Sequence, residues 1–192
     1  MNKKQELLLT LLKESVEKCY NNESDLTLIE RGMERASVAR IFYYMQESIN
    51  YDDCNRFEQF KPYNLDCEYN KNEDNIKCTT RCPNGTTPDM ILHERSTNSH
   101  NLLVVEFKSR NAQIRIHQGT RKQIDFVKLE DFTNQSGVYK YLLGVYVKLN
   151  EDGAEYICFQ DGDEVARFNY TTCLNYPKSV RNDCFLWFLR VI

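Results

Sequence analysis

Asp89 follows Pro88 and opens the apolar run Met90-Ile91-Leu92, while Glu106 and Lys108 close the run Leu102-Leu103-Val104-Val105 with Phe107 between them. Successive side chains of a strand alternate faces, so Glu106 and Lys108 share one side with Val104, and Val105 and Phe107 take the other. If the two apolar runs pair as a hairpin, the Asp89 carboxylate approaches that of Glu106. Two carboxylates in one place suit Mg²⁺ (or Mn²⁺), which commonly takes one or two of them and completes its octahedron with water and substrate phosphate. An ammonium beside them positions water or steadies negative charge developing at phosphorus. The chemistry this trio fits is hydrolysis of a phosphodiester.

The elements that must carry these residues are legible as periodicities. Leu8, Leu11, Leu12, Val16 and Cys19 recur at helical spacing and predict an amphipathic helix over 3–19. A second helix is expected from Ser24 or Asp25, both good caps, to about Ile49, with Val38, Ile41, Phe42 and Met45 on its apolar row. Extending that row backwards reaches Glu34 and then Glu30, so a carboxylate lies on or beside the buried face; a solvated first half paired with Arg31 and Arg35 is the equal alternative. Strands are expected at 65–69, 89–93, 102–108 and 139–149, with polar loops at 70–75, 78–87 and 94–100, a helix over 118–133, and a last hairpin from 156–159 and 165–168. On the 118–133 helix Asp125 and Lys128 share a side, as an ion pair that supports the site or as a phosphate contact.

Length and composition frame a single folded unit. The 192 residues are 41% hydrophobic and 28% charged, the balance of a water-soluble globular chain, and no linker or repeat divides them. A net charge of -3 argues against a broad basic nucleic-acid surface but allows a local groove. The first 20 residues lack an apolar run of signal-peptide length, and no stretch reaches the roughly 20 apolar residues of a membrane span, so a cytoplasmic protein without membrane partners is expected. Eight cysteines are scattered without a Cys-x-x-Cys pair and predict free thiols rather than a disulfide framework. Cys78 and Cys82, with His93 and His100 downstream, are the only start of a zinc site. His93 is read as a hydrogen-bonding residue, since Mg²⁺ prefers oxygen.

With these residues in place, the chain resembles the PD-(D/E)xK superfamily of restriction-endonuclease-like nucleases, in particular its small bacterial members. The resemblance runs over about residues 25–150 and rests on Glu34-Arg35, Cys67-Glu68-Tyr69-Asn70, Pro88-Asp89 through His93, Asn101 to Lys108, and Asp125-Phe126-Val127-Lys128-Leu129. It implies an α/β fold with a mixed central sheet flanked by helices (an αβββαβ core), extended here by an N-terminal helix and a C-terminal β extension over 151–192. It implies Asp89 and Glu106 as metal ligands, Lys108 as the catalytic lysine and Glu34, in preference to Glu30, as a further carboxylate. Glu68 remains open between a ligand role and a solvent-facing strand position. The partner implied is nucleic acid, DNA before RNA, met by a monomer or by the homodimer that double-strand cleavage often uses. A catalytically silent member that only binds nucleic acid or a protein is the alternative, because fold does not fix function.

Overall fold

A computed structural model describes residues 1–23, 26, 34–72 and 75–171, with residues 170 and 171 in backbone only. Helix α1, Lys3–Asn22, starts at a reciprocal cap in which Asn2 Oδ1 accepts the Gln5 N–H at 3.0 Å and Gln5 Oε1 accepts the Asn2 N–H at 2.7 Å. Its stripe of Leu8, Leu11, Leu12, Val16 and Cys19 is buried as the periodicity predicts. Helix α2, Glu34–Tyr51, buries Val38, Ile41, Met45 and Ile49. The expected start at Ser24 or Asp25, and Glu30 and Arg31 with it, lie outside the described residues.

The strands are β1 (Asn64–Cys67), β2 (Lys71–Asn72), β3 (Asn75–Ile76), β4 (Met90–His93), β5 (Asn101–Ser109), β6 (Leu143–Asn150), β7 (Gly153–Gln160) and β8 (Asp163–Thr171). Six of them form one sheet in the order β1-β4-β5-β6-β7-β8, and β2 and β3 pair separately. Among the described strands only the β5–β6 pair is parallel. A parallel pair cannot be joined by a tight turn, and the crossover here carries helix α3, Ile124–Thr133. The result is a mixed α/β architecture with a mostly antiparallel sheet and, among the described residues, three α-helices. No described helix is long and apolar enough to cross a membrane.

The sheet has two unlike faces. Leu103, Val105 and Phe107 of β5, with Val145 and Val147 of β6, join α1 and α2 in one continuous apolar core. On the other side Ile91, Val104, Tyr146, Ile157 and Phe159 meet Leu129 and Phe132 of α3 and the rings of Tyr139 and Tyr141. Gly144 lets α3 approach: a Cβ there would stand 2.8 Å from Thr133 Cγ2 and 3.3 Å from Leu129 Cδ2.

Five features differ from the periodicity reading. The helix expected over 118–133 begins only at Ile124, because residues 115–124 fold into a narrow hairpin in which Ile116 bridges Gln123 and Arg121 takes a positive φ of 59°. The strand expected from Tyr139 begins at Leu143; the apolar Tyr139 and Tyr141 that suggested a strand pack against Phe132 of α3, with ring centroids 5.2 and 5.9 Å away. The first strand stops at Cys67, two residues short of Tyr69, where Glu68 turns at φ 48°. Within the polar stretch 70–75, short ladders β2 and β3 form. The closing hairpin is longer than expected, β7 and β8 running eight and nine residues; residues 172–192 lie outside the description.

Candidate active site

The antiparallel register pairs Met90 with Val105, so Asp89, one residue before β4, stands opposite Glu106. β5 outruns β4 at this end, leaving backbone N–H groups of β5 without a ladder partner, and carboxylates take two of them. Asp89 Oδ2 accepts the Phe107 N–H at 2.6 Å, and Glu34 Oε2, from the first turn of α2, accepts the Ser109 N–H at 2.7 Å. Because an unmet buried donor is costly, these two bonds fix both side chains at the edge of β5. The Asp89 carbonyl in turn accepts the Glu68 N–H at 3.2 Å.

Glu106 and Lys108 project from β5 towards α3, on the side of Val104, as the alternation requires. Asp125 in the first turn of α3 is buried and bridges two ammoniums: its Oδ2 lies 3.3 Å from Lys108 Nζ and its Oδ1 3.6 Å from Lys128 Nζ. Lys128 Nζ also donates to Glu106 Oε2 at 3.0 Å. Gln123 Nε2 donates to Asp125 Oδ2 at 3.2 Å and ties the residue before the helix into the same group. Asp125 and Lys128 are thus an intrahelical pair and, at the same time, the link between Glu106 and Lys108.

Burial dominates the electrostatics. It pushes Glu106 up to about 8 in spite of Lys128, with Asp89 and Asp125 adding repulsion. Asp89 is likewise raised, by burial and by Glu34, against the Phe107 hydrogen bond and the two lysines. For Lys108 burial acts downwards, but Asp125, Glu34 and Asp89 outweigh it and hold the ammonium above its ordinary value; Glu106 and Asp125 do the same for Lys128. Lys108 is therefore a charged group at neutral pH, fit to stabilise an anion and unfit to take a proton. Four carboxylates against two ammoniums leave this group two negative charges in excess when all are ionised, the complement of a divalent cation.

Glu106 Oε1 is buried without a hydrogen-bond partner, while Oε2 is taken by Lys128. A bare carboxylate oxygen opposite a second carboxylate is a donor set that fits Mg²⁺ with the rest of its shell made of water and phosphate. Among the described residues no three His, Cys, Asp or Glu side chains are grouped as a metal cage, so protein ligation would come from Asp89 and Glu106 as a pair.

The side chains of the other expected residues are engaged outside this group. Glu68 is exposed, its Oε1 3.7 Å from Arg35 Nε. His93 Nε2 lies 3.0 Å from Asp66 Oδ2 and its ring meets Tyr69 edge-on, the hydrogen-bonding role expected of it; His100 Nδ1 lies 2.6 Å from Glu94 Oε2. Among the described residues no group of imidazoles and thiols forms a metal cage with Cys78 and Cys82. Cys54, Cys67 and Cys78 are exposed free thiols, and Cys19 and Cys158 are buried ones.

Two neighbours of the site were not singled out from the sequence. Tyr146 stands beside Glu106 in the parallel register, with its ring against Phe126 at 5.0 Å and its hydroxyl raised by burial and held by Gln123. Lys148 stands beside Lys108 in the same register. Once β5 and β6 are paired, the alternation Gly144, Tyr146, Lys148 places both on the site face, but the sequence carries no signal of that register.

No family model matches the chain, and no curated protein matches it. Among solved structures it is similar to a chain in the cryo-EM structure of a DrdV–DNA complex, with 13% identity and a TM-score of 0.44. The match covers 81% of this chain and 12% of that one, so the present chain spans about an eighth of its length.

Proposed function

We propose that this protein is a Mg²⁺-dependent (or Mn²⁺-dependent) nuclease of the PD-(D/E)xK, restriction-endonuclease-like type, acting on DNA at Asp89, Glu106 and Lys108. The observation that carries this reading is the buried Glu106 carboxylate, with one bare oxygen, opposite Asp89 and two residues from an ammonium held charged by its surroundings. The element order α2, β1, β4, β5, α3, β6 supports the αβββαβ core that such a site requires, with β2–β3 inserted and β7–β8 appended.

In this reading Asp89 and Glu106 hold the cation, and Phe107 and Lys128 hold those two carboxylates in place. The cation supplies Lewis acidity towards a phosphoryl oxygen and lowers the pKa of water. Lys108 steadies the negative charge that grows on the phosphoryl oxygens as water adds to phosphorus and the ester P–O bond breaks. Asp125 acts through Lys108, fixing where its ammonium sits, and Glu34 keeps the Ser109 end of β5 anchored beside it. The attacking water gives its proton to solvent, and the leaving oxygen takes one from solvent.

One observation favours a second reading. Lys128 Nζ already supplies a cation to Glu106 at 3.0 Å, as in a site that has exchanged its metal for a lysine and retains the groove for binding alone. Incubation of supercoiled plasmid, linear DNA and RNA with Mg²⁺ or Mn²⁺ separates the two, using Asp89→Ala, Glu106→Ala and Lys108→Ala beside the wild type. The nuclease reading expects metal-dependent cleavage that each substitution reduces by about a thousandfold, the scale on which removing one group that stabilises a transition state acts. DNA binding without cleavage would establish the silent reading, and equal rates in all four proteins would trace the activity to a contaminant.

A further inference from the structure

Residues 109–123, between the end of β5 and the start of α3, contain Arg110, Arg115, Arg121 and Lys122 and no Asp or Glu. Four cations in this segment of a chain with net charge -3 leave -7 on all the rest. Positive charge is thus concentrated on the one connection that begins at Lys108 and ends at Asp125.

The connection is built, not loose. The His117 N–H donates to the Lys122 carbonyl at 2.8 Å and the Ile124 N–H to the Arg115 carbonyl at 2.9 Å, closing a hairpin around Gly119 and Thr120. Its base is anchored on three sides. His117 Nε2 donates to the Arg81 carbonyl at 3.0 Å, Lys122 Nζ pairs with Glu130 Oε1 of α3 at 2.6 Å, and Arg110 pairs with Glu151 at 2.5 Å. Arg115 and Arg121 are exposed, and among the described residues neither has a carboxylate within ion-pair reach. Beside them Ile114 and Ile116 are 51% and 57% exposed, an unusual investment of β-branched apolar surface on a charged hairpin.

We propose that hairpin 115–124 is a phosphate clamp that seats DNA along the site. Arg115 and Arg121 take backbone phosphates with their forked donors, and Ile114 and Ile116 lie against sugar or base surface. The anchors at His117 and Lys122 preorganise the arginines, and the return through Gln123 to Asp125 places the gripped backbone beside Lys108 and Glu106. The inference rests on the nuclease reading for its choice of polyanion, and it names the element by which a chain of acidic total charge would hold its substrate.

The test is the anisotropy of a short fluorescein-labelled DNA duplex titrated with wild type and with Arg115→Gln/Arg121→Gln, in EDTA, over a series of salt concentrations. The clamp predicts affinity at least about tenfold weaker in the variant and a slope of log affinity against log salt shallower by about two, one for each phosphate that the arginines no longer neutralise. Unchanged affinity and slope overturn it, as does wild-type binding of polyglutamate in place of DNA, which would mark an acidic protein surface as the partner. The two readings fail separately. A variant that binds and cuts DNA as wild type does removes the clamp and keeps the nuclease. A wild type that never cuts, but whose DNA binding the variant loses, keeps the clamp and removes the nuclease.

Discussion

Two lysine environments share the layer between the sheet and α3. At the start of the helix Lys128 and Lys108 sit among Glu106, Asp125 and Asp89, and both are held above their ordinary pKa. Beside its last turn Lys77 is buried with no carboxylate of the described residues in ion-pair reach. Its Nζ lies 3.1 Å from Tyr141 Oη and faces the rings of Tyr69, Phe132, Tyr139 and Tyr141 at 5.2–5.8 Å, and burial lowers it to about 8. Aromatic faces attract a cation but do not neutralise it. The same side chain in the same layer is therefore a fixed charge at one end and a strained, readily neutralised amine at the other. Only the first arrangement offers a phosphodiester a dependable cation; Lys77 serves to tie the 70–87 segment onto the core through Tyr141 and the backbone bond from Thr86 to its carbonyl at 2.8 Å.

The largest effect expected on this contrast comes from removing one partner at the ionic end. Lys128→Met leaves Glu106 buried without this cation; its carboxyl, already raised to about 8, is then neutral at neutral pH, and the lost hydrogen bond should cost about 1–3 kcal/mol of stability in urea unfolding there. The loss should grow at higher pH, where the buried carboxylate would have to ionise, and adding Glu106→Gln in the same chain should remove that growth. A Lys128→Met protein as stable as wild type would show that the pair carries no strain and that the charges at this end are screened by solvent.

The aromatic end should respond to pH instead. The folded-state pKa of Lys77 is depressed from 10.5 to about 8, so below that window the folded protein bears the cost of a buried ammonium. Between pH 8 and 10.5 the unfolded chain binds the additional proton, and stability rises with pH from this group. Compared with Lys77→Met, wild type should gain up to about 3 kcal/mol across that interval. A difference between the two proteins that stays flat over the same range would mean that Lys77 titrates as an exposed lysine does.

A smaller change should disturb both ends together. Gly144→Ala inserts a methyl group where 2.8 Å separates it from Thr133, pushing α3 away from β6. The expected cost is about 1–3 kcal/mol. Cleavage should fall as well, since Asp125 and Lys128 ride on the displaced helix. Full activity in a destabilised Gly144→Ala protein would argue that α3 does not position the site.

Asp89, Glu106 and Lys108 were legible because strand alternation converts spacing directly into a shared face, and Pro88 marks where β4 begins. Their assembly with Asp125 and Lys128 was legible only as an open pair of alternatives, ion pair or phosphate contact, and the structure shows the ion pair within the helix, joined to β5 by two bridges, Asp125 to Lys108 and Lys128 to Glu106. What stayed hidden depended on tertiary context. Apolar content at Tyr139 and Tyr141 reads as strand, although their rings are buried by α3 outside any ladder. The expected helical start at residue 118 concealed the basic hairpin, although the absence of any acid between Lys108 and Asp125 was plain in the composition. The aromatic cage of Lys77 takes four rings from three places in the chain, Tyr69, Phe132 and the Tyr139–Tyr141 pair, and no local pattern announces it.

The most direct test of the central claim sets the two ends side by side: Mg²⁺-dependent cleavage of supercoiled plasmid by wild type, Lys108→Met and Lys77→Met at neutral pH. The account predicts that Lys108→Met loses activity by about a thousandfold while folding normally, and that Lys77→Met cuts at the wild-type rate. Cleavage undiminished in Lys108→Met, with loss confined to Lys77→Met, would contradict it and move the chemistry to the other end of the layer.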